Sequence, residues 1–166
     1  MNAMETSTCT ATAAVRAVLA RRMDEPGALL PILHELQDTL GHVPPDAVPE
    51  IAGALNLSRA EVHGVITYYH HFRSEPAGRH LIRICRAEAC QAMGADELLA
   101  HAQQRLGCAV HGTSKDGAFT LEPAFCLGLC ASSPAMAIDD EPHARMTHEA
   151  FDALIHETQG LQEAKR

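Results

Sequence analysis

The stretch Arg83–Gly94, RICRAEACQAMG, holds two cysteines separated by four residues, and Phe125–Pro134, FCLGLCASSP, holds two more separated by three. These pairs account for four of the six cysteines in the chain. Around them the sequence alternates between strand and helix patterns. In His80–Cys85, HLIRIC, Ile82 and Ile84 fall on one face and Cys85 on the other, which predicts a strand ending at its cysteine. Gly94–Gly107 predicts a helix with Leu98, Leu99, Ala102 and Leu106 inward and Gly107 as its stop. GCAVH, from Gly107, predicts a short strand containing Cys108. KDG is a turn, AFTLEP alternates, and PAMAIDD predicts a further strand. Thr147 caps a last helix carrying Phe151, Leu154 and Ile155. The predicted order β-α-β-β-β-α gives a small sheet with helices against it. Cys85 then ends a strand, Cys90 precedes a helix, and Cys126 and Cys130 bracket a loop between strands. All four fall on adjacent loops at one end of the sheet.

Four convergent thiolates hold either a zinc ion or an iron–sulfur cluster. Zinc knuckles are usually C-x2-C, and both pairs here are wider, as reaching around a two-iron group requires. Gly128, without a side chain, lets backbone N–H groups approach sulfur, and a side chain there would crowd the loop. On spacing alone the cluster, zinc and unliganded thiols all stay open. A thioredoxin-type redox pair needs C-x-x-C, which is missing. A plant-type ferredoxin run would need a third cysteine where Met93 stands, and a Rieske centre would need histidines beside the cysteines. Cys9 and Cys108 read as spares, an incidental thiol and a small core residue. Glu88, between two candidate ligands, reads as solvated.

The first half is helical in pattern. From Thr12, Val15, Val18, Leu19 and Met23 share one face until Pro26–Gly27. Leu29, Leu33, Leu36 and Leu40 follow at helical spacing, with Pro31 in the first turn and Gly41 at the end. A short helix is predicted over Val48–Leu55. Ser58 and Glu61 form a capping box for a helix whose apolar face is Val62, Val65, Ile66 and Tyr69. Of Tyr68, Tyr69 and Phe72, at least one is expected in the core. His34-Glu35-Leu36 resembles the start of H-E-x-x-H, but Asp38 stands at the last position, so no zincin site exists. The eleven histidines read as scattered surface or partner-facing residues. The turn SEPAGRH places a boundary near residues 74–79.

At 166 residues with a net charge of −8 and a pI near 5.7, the chain has no basic cluster, which argues against a nucleic-acid partner. No apolar run reaches the roughly 18 residues of a membrane span, so no membrane insertion is expected. The start has no secretory pattern, so a cytoplasmic setting with reduced thiols is the expectation. No nucleophile–base pair, phosphate loop or dinucleotide fingerprint is visible, and no catalytic residue is assigned.

Leu29–Phe72, then Cys85-x4-Cys90, then CLGLCASSPAM together closely resemble the small two-iron subunit family of NADH dehydrogenases. That family includes the E subunit of bacterial respiratory complex I and the gamma subunit of NAD-dependent formate dehydrogenases. The resemblance runs from about Leu29 to Ile155. It implies an α+β (α/β) fold: an N-terminal helical lobe over residues 1–77 and a thioredoxin-like [2Fe-2S] domain with a small mixed sheet over 78–160; the polar end of the sequence itself reads as a flexible tail over 161–166. The resemblance also implies that Cys85 and Cys90 hold one iron and Cys126 and Cys130 the other. TYYHHFR and CRAEACQAMGADEL look most like the formate dehydrogenase gamma branch. The complex I branch more often has Glu before the third cysteine, where Phe125 stands here, with Glu122 further back. The E subunit of complex I and the diaphorase part of an NAD-linked hydrogenase are the alternatives, and a zinc-stabilised interaction module is the remote one.

The resemblance further implies an electron-transfer subunit with no complete active site of its own. Its partner is a flavoprotein subunit carrying FMN and NAD, clasped by the helical lobe. A larger molybdenum, tungsten or iron–sulfur subunit is expected in the same complex. A ferredoxin-like two-iron group moves single electrons at low potential, on the order of −400 mV.

Overall fold

The computed structural model describes residues 3–163, and the side chains of residues 11–160. Two compact units divide the chain between Pro76 and Ala77.

The first unit is a group of helices: α1 (Ala3–Arg22), α2 (Leu29–Leu40), α3 (Val48–Leu55) and α4 (Arg59–Tyr68), with a 3-10 turn at Pro45–Ala47 leading into α3. Its core is one cluster in which Val15, Val18 and Leu19 meet Ile32, Leu33, Leu36, Ile51, Ala52, Val62, Ile66 and Phe72. Arg21 and Arg22 of α1 both reach the Glu35 carboxylate of α2. The helix ends follow their local chemistry. Gly41 closes α2 at φ +78°, a conformation that costs glycine nothing. The Ser58–Glu61 capping box opens α4: the Glu61 N–H donates to Ser58 Oγ at 3.2 Å, and the Ser58 N–H donates to the Glu61 carboxylate at 2.8 Å. Both groups at the helix start are thus satisfied, and donation to the Glu61 carboxylate from the Ser58 N–H, and next from the Ser58 hydroxyl, holds that carboxyl below its usual range.

Two expected core residues are displaced. Met23 (43 % exposed) lies just past the end of α1, and Tyr69 (44 % exposed) lies past the end of α4 with extended backbone. Helical spacing carries no information once the helix has stopped. Phe72 is the buried aromatic, and Tyr68 is 77 % exposed. The helix predicted from Thr12 extends back to Ala3.

The second unit contains β1 (His80–Cys85), α5 (Glu88–Ala92), α6 (Ala95–Leu106), β2 (Gly112–Thr113), β3 (Phe119–Ala124), β4 (Met136–Ile138), β5 (Glu141–His143) and α7 (His148–Glu163). The sheet order is β2-β3-β1-β4-β5. β1 and β3 are parallel, and every other pairing is antiparallel. One face of the sheet, with Ile82, Ile84, Phe119, Leu121, Met136 and Ile138, packs against Leu98, Leu99, Ala102 and Leu106 of α6 and Phe151 and Ile155 of α7. The Ala150 N–H donates to Thr147 Oγ1 at 3.2 Å, capping α7.

Three expectations change here. Cys108 lies in a half-buried loop, not a strand, and the short strand begins later, at Gly112. Burial pushes the Cys108 thiol upward. A fifth strand follows β4 through a two-residue turn, Asp139 (φ +49°) and Asp140 (φ +74°). Positive φ at both positions suits a tight hairpin, but the sequence there lacks the usual glycine. The strand carries Pro142, which only an edge position tolerates. An additional short helix, α5, precedes α6.

Gln37 is a buried polar side chain of the first unit, 3 % exposed. Its amide donates to the His71 carbonyl at 2.6 Å and accepts from the Arg73 N–H at 2.7 Å, pinning the segment after α4 to α2. Gln37→Ala leaves both backbone groups without this partner and is expected to cost about 2 kcal/mol. Urea unfolding followed by far-UV circular dichroism measures it, and an unchanged midpoint would contradict the clamp.

Candidate metal centre

The site begins with strand register. Parallel pairing sets Cys85 opposite Ala124, so β1 and β3 end side by side. The Arg86 N–H donates to the Ala124 carbonyl at 2.6 Å, and the Cys85 N–H donates to the Ala135 carbonyl at 3.0 Å. The loop carrying Cys126 and Cys130 therefore leaves the sheet directly beside Cys85. Cys90 precedes α6, as expected, but sits inside the additional helix α5, whose turn starts at Glu88. Glu88 is exposed, as its sequence position suggested. Cys130 opens a 3-10 turn, Cys130–Ser132.

The four sulfurs divide by environment. Cys85 and Cys90 are each 1 % exposed and pack with Ala95, Ala135, Leu127 and Leu129. Cys126 and Cys130 are exposed, with their sulfurs 3.7 Å apart. Burial, the largest influence on Cys85, pushes its thiol up. Bonds from the Ala87 N–H, the Cys90 thiol and the Leu127 and Cys126 N–H groups outweigh it and leave the thiol below its ordinary value. Three backbone N–H groups aimed at one sulfur form a nest for negative charge. Cys130 is pushed up, first by its hydrogen bond and charge interaction with Cys126, with smaller contributions from burial and from Cys90 and Cys85. The other three cysteines thus all act on Cys130.

The loop's shape comes from its backbone. Cys126 has φ +105° and Gly128 φ +78°. The Gly128 N–H donates to Cys126 Sγ at 3.4 Å. A Cβ added at Gly128 would meet nothing within 4 Å, so the expected crowding is not the constraint. The positive φ is, since it disfavours a β-carbon by roughly 1–2 kcal/mol.

These residues suit a two-metal group. Two thiolates about 2.3 Å from one tetrahedral metal lie about 3.8 Å apart, and the Cys126–Cys130 separation is 3.7 Å. Among the described residues, no three His, Cys, Asp or Glu side chains are arranged to hold a single ion. Two sulfur pairs, one buried and one exposed, fit a group that takes two thiolates on each of two irons. Cys108 belongs to the periphery of the sheet core, and the Cys9 side chain lies outside the described residues; of the expected tail, residues 161–163 continue α7 and those beyond 163 lie outside the described residues. Sequence reasoning passed over Ser133, whose hydroxyl is 3.4 Å from Cys90 Sγ. The Ser-Pro step within the second cysteine segment was the available signal.

Residues 15–159 match the thioredoxin-like [2Fe-2S] ferredoxin family. The chain is 35 % identical over 141 residues to the E 2 subunit of NADH-quinone oxidoreductase from Rhizobium meliloti (strain 1021), covering 85 % of this chain and 84 % of the relative. It is 36 % identical over 132 residues to the E subunit of NADH-quinone oxidoreductase from Escherichia coli (strain K12), covering 80 % of each chain. Among solved structures, NAD+-reducing [NiFe]-hydrogenase in the air-oxidized state superposes with a TM-score of 0.66 at 26 % identity, over 85 % of this chain and 24 % of the hydrogenase chain. This chain thus spans about a quarter of that larger polypeptide. A cysteine site at the ends of parallel strands, on a chain matched over nearly its whole length, makes this protein a member of the thioredoxin-like [2Fe-2S] ferredoxin family.

Proposed function

We propose that this chain is an electron-transfer subunit of an NADH-oxidising or NAD-reducing complex, carrying one [2Fe-2S] group on Cys85, Cys90, Cys126 and Cys130. The observation that carries the reading is the β1–β3 register, which brings two widely separated cysteine pairs to one end of the sheet with N–H donors at their sulfurs. Formate dehydrogenase gamma, first on sequence grounds, gives way to its alternatives. The NADH-quinone oxidoreductase relatives and the NAD+-reducing hydrogenase favour a complex I-type subunit or a hydrogenase diaphorase. No helix among the described residues is long and apolar enough to cross a membrane.

When bound, the group exchanges single electrons at low potential. The chain's residues set the conditions for that. Cys85 and Cys90 present thiolates from a dry, alanine-lined wall. The N–H groups of Ala87, Leu127 and Cys126 offset negative charge on Cys85, and the Gly128 N–H does so on Cys126. The exposed Cys126–Cys130 edge leaves one side open to a redox partner. Hydride chemistry needs a two-electron centre, and this reading assigns it to a flavoprotein subunit binding FMN and NAD. In the helical unit, Tyr68 and Tyr69 stand exposed with rings 5.2 Å apart, a surface suited to docking that subunit.

Anaerobically purified protein should be red-brown, contain iron and acid-labile sulfide equivalent to one [2Fe-2S] group per chain, and give an EPR signal on reduction. Colourless protein loaded with zinc would sink the reading. Alanine at any of the four cysteines should abolish or strongly reduce iron content. Cys9→Ser and Cys108→Ser should leave it unchanged, and iron loss in either control contradicts the ligand set. Gly128→Val should lower iron occupancy through its backbone conformation, whereas Gly128→Asn, which tolerates positive φ, should retain it. Equal occupancy in the two would contradict the backbone argument. Joint replacement of Tyr68 and Tyr69 by alanine should weaken co-purification with the flavoprotein at least tenfold while iron stays constant; undiminished co-purification would remove the docking role.

A further inference from the structure

Ser133 follows the 3-10 turn opened by Cys130, and its backbone is extended (φ −65°, ψ 155°), the conformation that a following proline favours. That fixes where its hydroxyl starts. Ser133 Oγ donates to the Cys130 carbonyl at 2.9 Å and lies 3.4 Å from Cys90 Sγ. A hydroxyl has one hydrogen and two lone pairs. A neutral Cys90 thiol carries a single S–H, for which Cys85 Sγ and Ser133 Oγ compete as acceptors, while the Ser133 O–H goes to the carbonyl. With Cys90 as a metal-bound thiolate, the sulfur has no hydrogen to give. The 3.4 Å contact then survives as a hydrogen bond only if the hydroxyl rotates and donates to sulfur. A charged acceptor binds a hydroxyl roughly twice as strongly as a neutral one. The Cys130 carbonyl belongs to an exposed residue, so water can replace the lost donor there.

We propose that Ser133 is a positioning residue for the metal group, its hydroxyl donating to Cys90 Sγ and raising the reduction potential. The proposal rests on Cys90 being a ligand. Cys85 and Cys126 receive backbone N–H donors, whereas the contact at Cys90 comes from a side chain that substitution can change. Reduction adds negative charge that spreads onto the sulfurs, so a donated hydrogen bond is stronger in the reduced state and favours it. Ser133 therefore sets how readily the chain accepts an electron, without touching the electron's donor or acceptor.

The test is EPR-monitored redox titration of the wild-type full chain, Ser133→Ala and Ser133→Thr, each with iron and sulfide analysis. Ser133→Ala is expected to keep full iron content with a lower midpoint potential, and Ser133→Thr, which retains a hydroxyl, to return the midpoint toward wild type. An alanine variant with full iron and an unshifted midpoint overturns the proposal. So does loss of iron in that variant, because a hydrogen bond that tunes potential does not decide occupancy. Wild-type protein without iron or an EPR signal would refute the cluster reading itself, and the iron assay separates that failure from a failure at Ser133.

Discussion

The parallel pairing of β1 with β3 is the constraint on which the site depends. It sets Cys85 beside Ala124 and so launches the second cysteine loop from the same sheet edge as the first. The register is held by the core. Ile82 and Ile84 share a buried face with Phe119 and Leu121, packed under α6 and α7. A slip of one residue would send Arg83 into that face and bring Ile82 and Ile84 out of it. Placing an unpaired guanidinium in an apolar core is prohibitive. The hydrophobic pattern of two six-residue strands therefore secures a juxtaposition of thiols more than thirty residues apart in sequence.

Around that juxtaposition the environment is graded. One thiol pair lies in a small apolar pocket walled by Ala95 and Ala135, and the other faces solvent on a loop with positive φ at Cys126 and Gly128. Four thiolates gathered in one place repel one another. Backbone N–H groups from Ala87, Leu127, Cys126 and Gly128 offset part of that cost without bringing in cationic side chains. The Ser133 hydroxyl extends the same logic to Cys90.

The helical unit follows different rules. Its stability is the packing of amphipathic faces, with ends defined by a capping box, a left-handed glycine and the Glu35 pairs with Arg21 and Arg22. Gln37 is the exception, a buried amide that binds a non-helical segment through two backbone hydrogen bonds. The exposed Tyr68 and Tyr69 sit just where that segment begins, at the end of α4. Surface of this kind costs solubility unless a partner covers it.

Much of this was legible in the sequence alone. Helical spacing gave Leu33, Leu36, Val62 and Ile66 as core, capping chemistry gave Ser58 and Thr147, and alternation gave β1 ending at Cys85. Those features are local, so a window of a few residues contains them. The four cysteines were recognisable by type and spacing, and the predicted strand order already set them on adjacent loops at one end of the sheet, but the β1–β3 register that brings Cys85 beside the second loop depends on strands paired across the chain. Tertiary structure alone decided that Cys90 lies within α5, that Cys85 and Cys90 are buried while Cys126 and Cys130 are exposed, and that Gly128 matters for its φ and not for space. It also decided that Ser133 stands beside Cys90 and that an Asp139–Asp140 turn adds a fifth strand. Burial, backbone dihedrals and sulfur–hydroxyl distances are set by residues far apart in sequence, and no local pattern encodes them.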